Sequence, residues 1–254
     1  MPNDSIQATV SLNSDGYCLH ILSLSHLQTL SYFIEVLPDL RAQHLSDRLD
    51  TRKSCAYHGT AAAGIFMAVA FLEAQINETL LDVHQRQIEI PDPAQRELLH
   101  AQLQKKPRKS NGHQWSCIDK YQFVLSVLQK PELDSMIVTP TKKLTYLRNE
   151  LVHYDPVLQF DPAEKKDPLA LAQKLSSYFM GDNPKAGFPD SCLCVEAVNW
   201  AYITVRTFSQ AFFKRLGTEI PYGHLDLVDP TSLRLQHVPN DPERGHVLNV
   251  DYSA

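Results

Sequence analysis

The chain lacks an excess of positive charge. Its 254 residues carry 24 Lys and Arg against 29 Asp and Glu, a formal net charge of −5. A protein that holds nucleic acid by bulk positive charge is therefore excluded, although a local basic patch is not. No apolar run approaches the ~20 residues of a membrane span; the richest, Ala61 to Leu72, is short and alanine-rich. The polar start Met1-Pro2-Asn3-Asp4 reads as no signal peptide. Cysteines lack the paired spacing of a zinc finger: Cys18, Cys55, Cys117, Cys192 and Cys194 are an odd, scattered set. They read as reduced structural thiols of a cytoplasmic protein. The 11 histidines supply no H-x-x-x-H pair with an internal glutamate, so a zincin is not expected. No internal repeat is evident.

What is present is an ordinary globular composition, 43% hydrophobic and 21% charged, long enough for a substantial core. The patterning predicts a mostly α protein: a helical bundle with a small N-terminal β-hairpin and an irregular C-terminal arm. The expected divisions are residues 1–38 for the hairpin extension, 39–217 for the bundle and 218–254 for the arm.

Taken in order, Ala8, Val10 and Leu12 alternate, Asn13-Ser14-Asp15-Gly16 offers turn chemistry, and Cys18, His20 and Leu22 resume the alternation, which predicts the hairpin. Leu27 to Leu37 fits a short helix or a third strand, and Pro38-Asp39 marks a helix start. From about Ser54 to His84 there is no proline. Ile65, Val69, Leu72, Ile76 and Leu80 form one helical stripe. Phe66, Ala70, Glu73, Asn77 and Leu81 form a second beside it. A helix apolar on two faces is central in a bundle, and Ala61, Ala62, Ala63, Gly64 and Ala68 would admit a close neighbour. Pro91 and Pro93 start a further helix carrying Leu98, Leu99 and Leu103. Lys105, Lys106, Arg108 and Lys109 then form the densest basic cluster, in a turn-rich loop ending at His113. Such a loop is either simply solvated or a phosphate contact. A helix over Ser116–Gln129 presents Ile118, Tyr121, Val124 and Leu125. Residues 167–178 predict another helix, and Ser191–Leu216 a second long one, closed by Gly217. Beyond it, Leu225-Asp226-Leu227 and Leu233-Arg234-Leu235 suggest surface strands or an arm.

The chemistry concentrates in Leu147-Arg148-Asn149-Glu150-Leu151-Val152-His153-Tyr154-Asp155-Pro156. Thr139-Pro140 caps the start of its helix, and Pro156 stops it. Leu144, Leu147 and Leu151 make the core stripe. At ~100° per residue, Asn149 and His153 stack one turn apart on nearly the opposite face. Lys142 and Tyr146 extend that polar face backwards, and Arg148 flanks the core side. A histidine with a reference pKa near ~6.5 can move a proton. An arginine keeps its charge and matches phosphate with a planar fork. Asn149 can orient the ring or donate to a phosphate oxygen. The bland account also has a mechanism: a histidine at a helix C-terminus is favoured by the helix dipole, and an arginine beside a core face often pairs with a carboxylate. Glu73, an acid on an apolar face, needs a partner if buried. Arg148 is the natural one.

Arg148-Asn149-x-x-x-His153-Tyr154, following a long helix with Ala70-Phe71-Leu72-Glu73-Ala74-x-x-Asn77-Glu78, resembles the HEPN domain family over roughly residues 52–178. Two other pairs, Arg52 with His58 and Arg108 with His113, match the R-x(4–6)-H spacing alone, without the asparagine. The resemblance implies a dimerising helical bundle. It implies a metal-independent, cofactor-free endoribonuclease whose active site is composed from two protomers. In that site Arg148 binds phosphate, His153 acts as base or acid, and Asn149 assists. Glu73, Asn77, Tyr146 and Tyr154 support them; Lys105, Lys106, Arg108, Lys109 and Lys142 contact RNA. A 2′,3′-cyclic phosphate product and a toxin or defence setting, with an antitoxin or regulatory partner, are further implications. The chain departs from the R-x4-H-x-Y pattern of some such toxins, because Tyr154 follows His153 directly and Asp155, followed by Pro156, stands where their tyrosine falls. The alternative from the same residues is a non-catalytic HEPN-like module binding RNA, a nucleotide or a protein.

Overall fold

A computed structural model describes residues 10–12, 18–20, 22–84, 92–104, 115–153, 174–179, 181–182 and 188–233. Among them six α-helices account for most of the described residues: α1 (Leu22–Ser46), α2 (Thr51–His84), α3 (Pro93–Gln104), α4 (Cys117–Val127), α5 (Ser135–Val152) and α6 (Val195–Leu216). The protein is mostly helical, as a bundle requires. Two three-residue strands, β1 (Val10–Leu12) and β2 (Cys18–His20), pair antiparallel with Val10 opposite His20. The turn expected between them lies outside the described residues, and Leu22, expected to prolong the second strand, opens α1 instead.

The chain separates into two compact units. The first holds Met1–Gln28, Ala70–Leu133 and Ser209–His224; the second holds Thr29–Val69, Asp134–Phe208 and Leu225–Ala254. Helices α1, α2 and α6 each contribute residues to both.

In the first unit, Phe71, Leu72, Ile76, Tyr121, Val124 and Phe212 have no exposed surface. Tyr121 is held at both ends. Its ring meets Phe212 edge to face with centroids 4.7 Å apart. Its hydroxyl lies 3.0 Å from the Leu72 carbonyl and 3.0 Å from Gln75 Oε1. Helix α4 starts where the sequence says it should: Ser116 Oγ accepts the Asp119 N–H while the Asp119 carboxylate accepts the Ser116 N–H, a reciprocal cap. All four residues assigned to its inner face, Ile118, Tyr121, Val124 and Leu125, are buried. Glu78 of α2 caps the start of α1, accepting the Ser23 N–H at 3.0 Å and the Ser23 hydroxyl.

In the second unit, Leu30, Leu37, Ala61, Ile65, Leu144 and Val205 are fully buried. Each large aliphatic side chain removed from water here stabilises by about 1.5–3 kcal/mol. Gly64 marks a close approach between helices: a Cβ placed on it would stand 2.7 Å from Val198 Cγ1. The small-residue stretch of α2 thus admits a side chain from α6. The second stripe of α2 behaves differently from the first. Phe66, Ala70, Glu73 and Leu81 are only half-buried and Asn77 is exposed, whereas Ile65, Val69, Leu72, Ile76 and Leu80 are all buried.

Several expectations require correction. No helix starts at Pro38-Asp39: α1 runs unbroken through Pro38, so the boundary expected between 38 and 39 falls inside it. A mid-helix proline costs ~3 kcal/mol; the buried stripe of Leu24, Leu27, Leu30, Ile34 and Leu37 holds the helix up to that residue, and beyond it no residue of α1 is buried. Likewise α5 starts at Ser135 with Asp134 as its N-cap, and Pro140 is internal and buried rather than a first-turn residue. The second long helix starts at Val195; Asp190–Cys192 form a separate 3-10 turn before it. After Gly217, whose φ of +79 ends α6, Leu225-Asp226-Leu227 forms no strand. Val228 is tied down instead: its N–H reaches Ser31 Oγ at 2.9 Å and its carbonyl accepts the Tyr202 hydroxyl at 2.6 Å. Of the helix expected over 167–178, only Lys174 and Leu175 among the described residues are helical. The segment Thr51–Asp82, expected to fall short of a membrane span, is in fact long and apolar enough for one by length and composition. The core helix of a bundle meets the same criterion, and Ile65, Leu72 and Ile76 are buried against protein.

Candidate functional site

Helix α5 places the candidate residues, and it lies wholly in the second unit. Pro140, Leu144 and Leu147 are buried on its inner side. Lys142, Tyr146, Asn149 and His153 are exposed on the opposite side, and Arg148 and Glu150 are half-buried on the two flanks. His153 is the C-cap, its backbone leaving helical geometry at φ −104 and ψ 34 while its N–H still bonds to the Asn149 carbonyl at 2.9 Å. The last turn therefore presents an amide and an imidazole side by side to solvent at the C-terminal end of the helix. Tyr146 stands two turns before His153, and partial burial and the Glu150 carboxylate raise its pKa.

The structure brings Lys142, Tyr146, Arg148, Asn149 and His153 onto one helix, with Tyr146, Arg148, Asn149 and His153 in its last two turns. Glu73 and Asn77 belong to the first unit. Glu73 is half-buried; Asn77 accepts a hydrogen bond from Lys120 Nζ at 2.8 Å, which gives it a structural task. Lys105, Lys106, Arg108, Lys109 and Tyr154 lie outside the described residues. Of the two spacing-only matches, Arg52 is exposed in the first turn of α2 and His58 half-buried, six residues on and so not on one face. Arg108 and His113 are outside the described residues.

A second polar cluster in the same unit escaped sequence reasoning. The Tyr57 hydroxyl donates to Asp182 Oδ2 at 2.5 Å and accepts the Val195 N–H at 3.2 Å. Arg41 pairs with Asp182 and, at 3.0 Å, with Glu196 Oε1. His44 stacks on the Tyr57 ring with centroids 5.4 Å apart, binds Ser54 Oγ at 3.0 Å through Nδ1, and faces His58 at 5.2 Å. Burial and the His44 imidazole lower the His58 pKa against the pull of Asp190 and Asp182. Burial and the hydrogen bond to Asp182 push the Tyr57 phenol well up. Glu196 Oε2 is buried without a hydrogen-bond partner. The cysteines nearby are not reactive thiolates: burial pushes Cys192 up to about 11 and raises Cys194 further. Among the described residues, no three His, Cys, Asp or Glu side chains gather as a metal site would need.

Comparison with protein-family models, with curated proteins and with solved structures finds no match for this chain.

Proposed function

We propose that the chain is a HEPN-like, metal-independent endoribonuclease that acts as a homodimer, with one active site composed from two copies of the α5 ridge. The observation that carries this reading is the exposure of Asn149 and His153 directly opposite the buried Pro140, Leu144 and Leu147. A polar pair buried for structural reasons would point inward; this one faces outward, where a second copy of the chain could reach it.

In the proposed reaction the 2′-OH of RNA attacks the adjacent phosphorus. One copy's His153 takes the 2′ proton, and the partner subunit's His153, protonated, gives a proton to the departing 5′ oxygen. The P–O5′ bond breaks as the P–O2′ bond forms, leaving a 2′,3′-cyclic phosphate and a 5′-OH. Such positioned acid–base catalysis contributes ~10²–10⁴-fold. The two Arg148 guanidiniums hold the non-bridging oxygens as charge concentrates on them, and Asn149 assists by orienting the imidazole or donating to phosphate. A single ridge supplies one titratable group; two supply an acid and a base, which is why the dimer belongs to the mechanism. A toxin or defence role in the cytoplasm, held in check by an antitoxin, is the setting this reading favours.

The test is incubation of purified protein with synthetic RNA in a chelator, followed by mass analysis of the ends. The reading expects cyclic phosphate and 5′-OH ends, and no cut where the scissile nucleotide is 2′-deoxy. RNA that stays intact at all protein concentrations contradicts it. Intact RNA that is nevertheless bound points to the non-catalytic binding module.

A further inference from the structure

We propose that the C-terminal end of α1, residues 39–46, is an acid-released latch, hinged at Pro38 and fastened by Arg41 and His44. Every contact it uses lies within the second unit. The latch stands apart from the α5 ridge and does not depend on RNA cleavage.

The chemistry of the inward stripe of α1 changes at Pro38. Leu30, Ile34 and Leu37 are buried at intervals of four and three residues. The next two positions of that stripe, again at four and three, are Arg41 and His44. No residue from 38 to 46 is buried. Pro38 also has no N–H to give the Ile34 carbonyl, so the helix is weakest where its apolar anchoring stops. Among the described residues, the side-chain bonds that tie residues 39–46 to other elements come from Arg41 and His44. Arg41 pairs with Asp182 and, at 3.0 Å, with Glu196 Oε1. His44 is hydrogen-bonded through Nδ1 to Ser54 Oγ at 3.0 Å, stacks on the Tyr57 ring and faces His58 with centroids 5.2 Å apart. Water can take over polar fastenings of this kind, as it cannot take over a buried leucine stripe. The closed latch also leaves Glu196 Oε2 buried without a hydrogen-bond partner, and opening lets water reach it.

Acid acts on this latch through His58. His44 faces it from α1, and the Asp190 and Asp182 carboxylates act on it from the segment before α6. Burial and His44 disfavour its proton, the two carboxylates favour it, and the balance lies below the ordinary histidine value. Opening removes the burial and His44 together and frees Asp182 from Arg41. The open form therefore takes up the proton more readily, and falling pH favours it. Tyr57 and Glu196, both buried in the closed form, are uncovered as it opens. At low pH the protein thus presents a phenol and a carboxylate that it hides at neutral pH.

The experiment is amide hydrogen exchange of the full chain, read by mass spectrometry at pH 7.5 and pH 5.5 with exchange times scaled for the intrinsic chemical rate. Residues 39–46 should be less protected than Cys117–Val127 of α4 at both pH values, because the latch opens without the bundle unfolding. Between pH 7.5 and pH 5.5 opening should rise ~3- to 10-fold, tenfold being the most that one histidine supplies one unit below its reference value. His58→Gln should flatten that rise. Pro38→Ala restores the missing N–H and should raise protection at both pH values while keeping the pH response. A helix end that merely frays would exchange quickly but without a rise that depends on His58. Equal protection of residues 39–46 and α4, no rise at pH 5.5, or a rise that His58→Gln leaves intact overturns the proposal. If His58→Gln does not fold, wild type and Pro38→Ala decide: a wild-type rise together with higher protection in Pro38→Ala supports the latch, and the absence of either overturns it.

Discussion

Tyr57 donates its hydroxyl to Asp182, the same carboxylate that pairs with Arg41. One side chain of α2 and one of α1 thus converge on a residue far down the chain, and the Val195 N–H closes the group by donating to Tyr57. Because Tyr57 is 1% exposed, the bond from the Val195 N–H to its hydroxyl is not readily replaced by water, whereas Arg41 and Asp182 are partly exposed. Tyr57→Phe removes the donor to Asp182 and leaves the buried Val195 N–H without its acceptor. The expected cost is about 1–3 kcal/mol, or a fall in melting temperature of ~2–4 °C for each kcal/mol in a chain of this size. Calorimetry of the variant checks it. An unchanged melting temperature would mean the cluster adds nothing to stability.

The histidine pair beside that cluster makes stability depend on pH in a defined direction. His58 is held below the ordinary histidine value by burial and by His44, 5.2 Å away. The unfolded chain therefore takes up this proton first as pH falls. His58 contributes its full stability above a reference value near ~6.5, and loses it as pH falls towards and through its lowered folded value. Denaturant titrations at pH 7.5 and pH 5.5 should show a loss in wild type that is smaller in His58→Gln. An equal loss in both would place the titration elsewhere.

Asp82 works in the opposite sense. Burial and the neighbouring Glu78 carboxylate raise its pKa to about 6. The folded chain binds this proton more tightly than the unfolded chain does. The contribution is fully present below the reference value near ~3.9 and is lost as pH rises through about 6. At pH 8 wild type holds two like charges one turn apart. Asp82→Asn removes one of them and should raise the melting temperature at pH 8 but not at pH 3.5. A gain of equal size at both pH values would contradict the assignment.

Helical periodicity made the inner stripe of α2, the inner face of α4 and the outward ridge of α5 legible in the sequence. Ile65, Leu72, Tyr121 and Leu125 are buried as their spacing demands, and Asn149 and His153 are exposed. The capping box at Ser116 was readable as a helix start because it is local. Proline was the misleading signal. Pro38 and Pro140 suggest starts when read with their neighbours alone, yet both lie inside helices: the buried stripe of α1 runs up to Leu37, and that of α5 continues past Pro140 to Leu144 and Leu147. The Arg41–Glu196 contact joins residues 155 apart. Nothing in the spacing of either end announces it, because the partner is supplied by the fold and not by the neighbouring residues. The Arg52 and His58 spacing did fall near this cluster, but His58 enters it through His44 and Tyr57, not through Arg52.

The central claim is that Arg148 and His153 perform RNA cleavage, and one comparison tests it most directly. Wild type, Arg148→Ala and His153→Ala, each shown to be folded, are incubated with one RNA in the presence of a chelator and initial cleavage rates are compared. Neither side chain is buried in the core, so neither variant should unfold. The account predicts cleavage by wild type and a loss of at least ~10²-fold in each variant, the contribution expected of a positioned proton donor or a charge-stabilising contact. Equal rates in all three proteins would contradict it.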